Sequence, residues 1–328
     1  TTIDGVEYDI PFIDKMIKPI MPDEATRLAA LRTANLDFHY EVDAAAWDIL
    51  DKTKGIVPNK FDAGMGYRWA LNVQNEPLDN IAVRRALFRA TNIDGFGKMV
   101  YAGLDLDVPL HWFPMYSKDP SATTPMNELP ADIKELYDYN PEAAKKMLAD
   151  AGYPNGFTLE VNTDSSAAVQ AMTSLLADQW SEIGVELDIE SYASADQHVY
   201  GFERNYTHLC YDDIETANAI LTVRQAGETG HFLNITTSED AYVDAEMKKI
   251  MGEIDDGKRN AMLKDLGVYV LGQVYSVPMS AKLMANYWWP WIQNYYGEVS
   301  IGDVADFEMV LSMAWIDQIG RASCRERV

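Results

Sequence analysis

Residues 140–189 read NPEAAKKMLADAGYPNGFTLEVNTDSSAAVQAMTSLLADQWSEIGVELDI, and this stretch decides the fold class. Asn140 is a natural N-cap and Pro141 suits the first helical position. Ala144, Met147, Leu148 and Ala151 then fall on one face, and Gly152 stops the helix. Phe157, Leu159 and Val161 alternate as a strand. Val169, Met172, Leu176, Trp180 and Ile183 follow at helical spacing up to Gly184, and Val185, Leu187 and Ile189 resume the period of two. Strand, crossover helix and strand make a βαβ unit, so the expected class is α/β with a parallel sheet and a right-handed crossover.

Upstream, Pro22-Asp23-Glu24 opens a short expected helix through Leu28 and Arg32. Tyr67, Trp69, Leu71 and Val73 alternate with Arg68, Ala70 and Asn72, as a strand entering the Pro77 turn would. Asp79 or Asn80 is placed to cap a helix with Val83, Ala86, Leu87 and Ala90 on its apolar face. Residues 104–136 carry five prolines and are expected to be irregular. Downstream, a short strand over Tyr206–Cys210 is expected to end in an acidic turn at Asp212-Asp213. Two helices separated by Asp255-Asp256-Gly257 and a strand over Val277–Asn286 should follow. Tyr287 to Tyr296 is crowded with aromatics.

The chain has 328 residues, longer than one core usually grows, which favours two lobes. Its 51 acidic against 27 basic residues give a net charge of −24, which repels phosphate backbones and anionic lipid, so nucleic acid is not an expected partner. No apolar run reaches the roughly 20 residues needed to span a bilayer. The opening Thr1-Thr2-Ile3-Asp4-Gly5 has neither Met nor a signal pattern, so either a leader is absent or the start of the gene is missing. The closing decapeptide IGRASCRERV, residues 319–328, corresponds codon for codon to a translated short-read sequencing adapter and is expected to be foreign. With Cys324 set aside in that tail, Cys210 remains alone and has no intrachain disulfide partner.

The chemistry-bearing patterns are few. The five His show no zincin spacing, and there is no G-x-S-x-G elbow. Gly64-Met65-Gly66 and Gly95-Phe96-Gly97-Lys98 lack the spacing of phosphate-binding loops and are expected to be turns. No catalytic set, metal site or cofactor is expected.

The run LNVQNEPLDNIAVRRAL, Leu71 to Leu87, carries an N…P-hydrophobic-D-x-x-x-V-R-x-A-L pattern that resembles the hallmark of family 5 extracellular solute-binding proteins. These are the dipeptide-, oligopeptide- and nickel-binding receptors of ABC importers. The resemblance continues, in the family's order, through Pro22–Arg32, Tyr139–Lys145, Ala151–Pro154, Gly156-Phe157, Glu182–Val185, Val277–Met279 and Trp315–Asp317. It implies a two-lobed periplasmic-binding-protein-like architecture of type II with one lobe incomplete: residues 1–75 and 287–317 would belong to that lobe and 76–286 to the other. The segments near Asn72–Pro77 and Ala281–Tyr287 would be the hinge.

It further implies a periplasmic or extracellular protein with a possible lipid anchor on a missing N-terminal part. A permease and an ATPase would be its partners and a peptide its first-choice solute. An oligosaccharide or a nickel chelate stands second within the family, and an α/β hydrolase is the alternative from another class. In peptide-binding members an Asp after the strand at the place of Tyr206–Cys210 meets the ligand ammonium, which makes Tyr211, Asp212 and Asp213 candidates here. Tyr67 and Trp69 on the strand entering the hinge are cleft candidates, with lobe core as the alternative. Trp288 and Trp289 are candidates for a sugar or aromatic pocket, with packing near the hinge as the alternative.

Overall fold

The computed structural model describes residues 2–3, 6–7, 9–21, 23–101, 119–215, 219–299 and 310–317. The expected foreign tail at 319–328 and the 104–118 part of the irregular stretch lie outside them. Two compact units emerge: Thr1–Ala63 with Leu283–Val328, and Gly64–Lys282.

In the first unit, α1 (Glu24–Arg32) is capped by Asp23, whose carboxylate accepts from Thr26 N–H at 2.8 Å. Strand β1 (Phe38–Asp43) pairs antiparallel with the C-terminal half of β6 (Ser276–Trp288), with a register shift between His39 and Val42. Glu41 sits at that shift with φ of 53°, and its freed N–H donates to Asn286 Oδ1 at 3.0 Å, so the bulge leaves no donor unpaired there. Leu31, Trp47, Leu50, Tyr287, Trp289 and Trp291 are all closed off from solvent.

The second unit holds the expected βαβ element. Strand β2 (Val57–Leu71) enters it, followed by β3 (Phe157–Asp164), β4 (Val185–Tyr192) and β5 (Leu209–Glu215). Within this unit the strand order is β6-β2-β5-β3-β4. β3 pairs parallel with β4 and with β5, while β2 and β5 run antiparallel. Helices α2 (Ile81–Arg89), α3 (Ile93–Val100), α4 (Pro141–Asp150) and α5 (Ala167–Ser181) contribute Leu87, Phe96, Leu148 and Trp180 to one core with Trp69, Leu159, Val161 and Leu209. Asn80 and Asn140 cap α2 and α4 through Ala82 and Ala143 N–H. Helix α6 (Ser194–Phe202) follows β4. Helices α7 (Ala219–Gly227), α8 (Ala241–Gly252) and α9 (Asp256–Gln273) build a second core around Met247, Ile250 and Leu266.

Three local expectations are corrected. Gly64-Met65-Gly66 is not a turn but the middle of β2, which runs ten residues further upstream than the alternation from Tyr67 indicated. Gly95 to Lys98 lies inside α3, where Ile93, Phe96 and Gly97 are buried at helical spacing and Asn92 caps Gly95 N–H. Asp212-Asp213 is not a turn either, because β5 continues to Glu215 in register with β2. An acidic pair is tolerated in that strand since the residue opposite Asp212 is Arg68.

The hallmark run serves as architecture. Asn72 donates its main-chain N–H to His208 O at 2.8 Å and its side-chain amide to Tyr206 O at 2.9 Å, while its Oδ1 accepts from Thr237 Oγ1 at 2.7 Å. Asn75 Nδ2 adds a bond to Thr207 O at 2.7 Å. Arg84, buried, donates to the carbonyls of Leu78, Gln273 and Val274, tying α2 to the end of α9. Its guanidinium lies 5.8 Å from the Tyr275 ring centroid. These side chains supply donors to main-chain carbonyls at the ends of elements.

Candidate solute-binding site

Strand alternation and register sort the candidate residues of the second unit. Tyr67 is the register partner of Asp213, Arg68 of Asp212, Trp69 of Tyr211 and Ala70 of Cys210. Residues directly opposite in an antiparallel pair share a face. Tyr67, Trp69 and Tyr211 therefore form one aromatic group: Tyr67 stacks on Tyr211 with centroids 6.2 Å apart, and Trp69 meets Tyr211 edge-on at 5.4 Å. Lys282 on β6 places its ammonium 5.8 Å from the Tyr67 centroid. Tyr67 and Tyr211 are 7% and 5% exposed and Trp69 is fully closed, and all three belong to the core shared with α2 to α5.

The opposite face is electrostatic. Arg68 is 0% exposed and bonds Asp212 Oδ2 through Nε at 2.9 Å and Nη2 at 2.7 Å. Its remaining donors reach the carbonyls of Gln225 on α7 and Leu233 at 3.4 Å. Asp212 is thus the counter-ion of a buried guanidinium. Beside it, Gln197 on α6 donates to the Tyr211 carbonyl and to Cys210 Sγ. Burial, reinforced by the Asp212 charge, pushes the Cys210 thiol up to about 12, so at neutral pH it is neither a thiolate nor a nucleophile. Arg68 and Lys282 were not singled out in the sequence. The legible signal for Arg68 was a lone cation alternating with aromatics in Tyr67-Arg68-Trp69, but its acid lies 144 residues away.

Trp288 and Trp289 lie in the first unit. Trp289 stacks on Trp291 at 4.8 Å with planes 4° apart, and its N–H donates to Leu31 O at 2.8 Å. Trp288 packs edge-on against Tyr295 at 4.7 Å and is 6% exposed. The structure therefore assembles Tyr67, Trp69 and Tyr211, sets Asp213 opposite Tyr67 in the register, turns Asp212 to Arg68, and puts the two Trp in a different core. Among the described residues no cluster of acidic, His or Cys side chains has the makings of a metal centre.

Trp69 has one feature its burial does not explain: its indole N–H is closed off and finds no acceptor among the described residues. Removing an unsatisfied donor relieves its desolvation cost. Trp69→Phe is expected to change stability by less than about 1 kcal/mol despite the lost ring area. Trp180→Phe, which breaks the 3.0 Å bond from that indole to Thr91 Oγ1, should cost about 1 kcal/mol more. Thermal melts of the two variants check this; equal losses would show that the Trp69 N–H is satisfied in solution.

The sequence pattern of the bacterial extracellular solute-binding proteins, family 5 (middle part), matches residues 7–208. The chain belongs to that family. Heme-binding protein A of Haemophilus influenzae is 26% identical over 287 residues, covering 82% of this chain and 48% of that protein. Glutathione-binding protein GsiB of Escherichia coli K12 is 25% identical over 55% of this chain and 33% of its own length. Among solved structures, the ABC transporter-associated periplasmic binding protein DppA from Helicobacter pylori, in complex with the peptide STSA, superposes with a TM-score of 0.71 at 19% identity. That match covers 91% of this chain and 56% of the H. pylori protein.

This family 5 chain thus spans between a third and a little over half of these relatives' lengths. Its fold is that of the periplasmic binding proteins. Among the described residues no helix is long and apolar enough to cross a membrane.

Proposed function

We propose that this family 5 chain is the solute-capturing component of an ABC importer, taking a peptide-like solute by closure of two lobes and presenting it to a membrane permease and its ATPase. The observation that carries this reading is the match to family 5 over residues 7–208. The lobes are assigned to the two units, and closure works by population shift: a solute that gains contacts only in the closed state favours that state. Function of this kind involves no bond making or breaking, so the protein acts as a receptor and not as an enzyme. It works outside the cytoplasmic membrane, held by a lipid anchor if the upstream part carries one.

The solute class follows from charge. Arg68 already neutralises Asp212, and Asp213, the register partner of Tyr67, is taken as the acidic residue of the site. A carboxylate and aromatic rings are the groups that would recognise an α-ammonium and an apolar side chain. A peptide is placed before an oligosaccharide because one relative, GsiB of Escherichia coli K12, is a glutathione-binding protein and glutathione is a peptide.

Calorimetric titration of the natural gene's full product with Ser-Thr-Ser-Ala and with its N-acetylated form tests this. Asp213→Asn is expected to weaken the free-amine peptide about tenfold or more, the loss of a charge-assisted hydrogen bond worth roughly 1.5–3 kcal/mol, and to leave the already weak acetylated form nearly unchanged. If the Asp213→Asn protein binds both peptides as the parent does, Asp213 has no place in the site.

A further inference from the structure

His208, immediately before β5, stands outside the solute site and joins two elements that no ladder joins. One residue before the first β3–β5 rung, Val161↔Leu209, the Glu160 N–H of β3 donates to His208 Nδ1 at 3.0 Å. A side chain takes the place that a strand carbonyl would fill. On its other side the ring lies against the main chain of Glu76, in the turn that follows Asn72. The His208 carbonyl meanwhile accepts the Asn72 N–H. A neutral imidazole accepting at Nδ1 carries its proton on Nε2, which suits a carbonyl partner there.

We propose that His208 is a proton-sensitive clamp between β3 and the Asn72–Pro77 turn, closed only while its ring is neutral. Protonation places a hydrogen on both nitrogens, so Nδ1 ceases to accept and confronts the Glu160 N–H. The titratable groups facing the ring are Glu160 on β3, whose register partner on β4 is Asp188, and Glu76 on the turn, whose carboxylate accepts from Tyr153 Oη at 3.1 Å. Asp79 lies further along the same turn, near Tyr153. Along the same stretch of chain, Tyr206 and Cys210 titrate far above neutrality.

Burial lowers the affinity of the half-buried ring for a proton, and the Glu160 charge and the Glu76 carbonyl offset this only in part. The folded ring therefore binds a proton less readily than an unfolded histidine. The clamp's contribution is complete above the ordinary histidine range and is lost as pH falls through the lowered folded value.

The test is local, because burial also depresses His39 and His231 and a whole-molecule melting curve would sum all three. NMR follows the His208 ring and the hydrogen exchange of the Glu160 amide, each amide rate taken relative to an unstructured peptide at the same pH. As the ring gains its proton, Glu160 exchange should accelerate about fivefold, the factor expected for one lost hydrogen bond. His208→Asn sets an oxygen acceptor near the Nδ1 position and cannot protonate, so its Glu160 amide should stay protected across the range. A parent ring that titrates with no change at Glu160, or an acceleration that persists in the Asn variant, would overturn the clamp. Both readouts are independent of any solute, so they stand or fall apart from the receptor reading.

Discussion

Asp212→Ala is expected to cost about 3–5 kcal/mol, because it removes the carboxylate bonded to a guanidinium that is 0% exposed. The carbonyls of Gln225 and Leu233 would remain as partners of Arg68, but neutral acceptors at 3.4 Å do not replace a carboxylate bonded twice at 2.7–2.9 Å. A control lies in the same unit: the Lys146–Asp150 pair on α4 has side chains 75% and 65% exposed. Asp150→Ala should therefore move stability by no more than about 0.5–1 kcal/mol. Urea midpoints of the two variants make the comparison. If they matched, the Arg68–Asp212 pair would be as hydrated in solution as a surface pair, and Asp212 would again be open to a solute. The experiment thus also decides how the Asp213→Asn titration is read, since an Asp212→Asn variant that binds poorly would be reporting on β5 itself.

The second large effect is expected at Gly156, in the turn that leads into β3. Its φ is +71°, and a Cβ built there would stand 1.7 Å from Gly184 O and 2.4 Å from Gly184 C. The obstacle is main chain, which cannot rotate aside as a side-chain tip would. That main chain also carries the first bond of the parallel pair, from Phe157 N–H to Gly184 O at 3.2 Å. Gly156→Ala must push β3 and β4 apart where they begin, and a loss beyond about 4 kcal/mol, or failure to accumulate folded protein, is expected. Gly152 separates conformation from collision: its φ is +101° but nothing lies within 4 Å of its Cβ position. Gly152→Ala should cost only the backbone strain, about 1–3 kcal/mol. Soluble yield and urea midpoints check the pair. Equal losses would mean that the strands separate freely at this end.

Much of the second unit was legible in the sequence because its signals are short-range. Asn140, Pro141 and Gly152 bracket α4 within thirteen residues, and the change from period 2 to period 3.6 and back between Phe157 and Ile189 marks β3, α5 and β4 without reference to any other part of the chain. The hallmark run was readable for the same reason, and it pointed to family 5. Its residues turned out to be staples: Asn72 and Arg84 donate to main-chain carbonyls of distant segments.

What depended on register was out of reach. Sequence placed Asp212 and Asp213 together as an acidic turn, and nothing local distinguishes two adjacent aspartates. The β2–β5 pairing distinguishes them, by setting Arg68 opposite one and Tyr67 opposite the other. The extension of β2 through Gly64 and Gly66 was hidden for a related reason, since glycine reads as a break when only its own propensity is considered. Trp288 and Trp289 were visible as an aromatic cluster, but whether such a cluster lines a pocket or fills a core depends on what packs over it. For Trp289 that is Leu31 and Trp291. Sequence by itself determined the class, the βαβ unit, the helix caps and the family of this protein, all written in contiguous residues. The tertiary structure alone decided which carboxylate is neutralised, which aromatics are enclosed and which histidine bridges two elements, because each depends on partners brought together from distant parts of the chain.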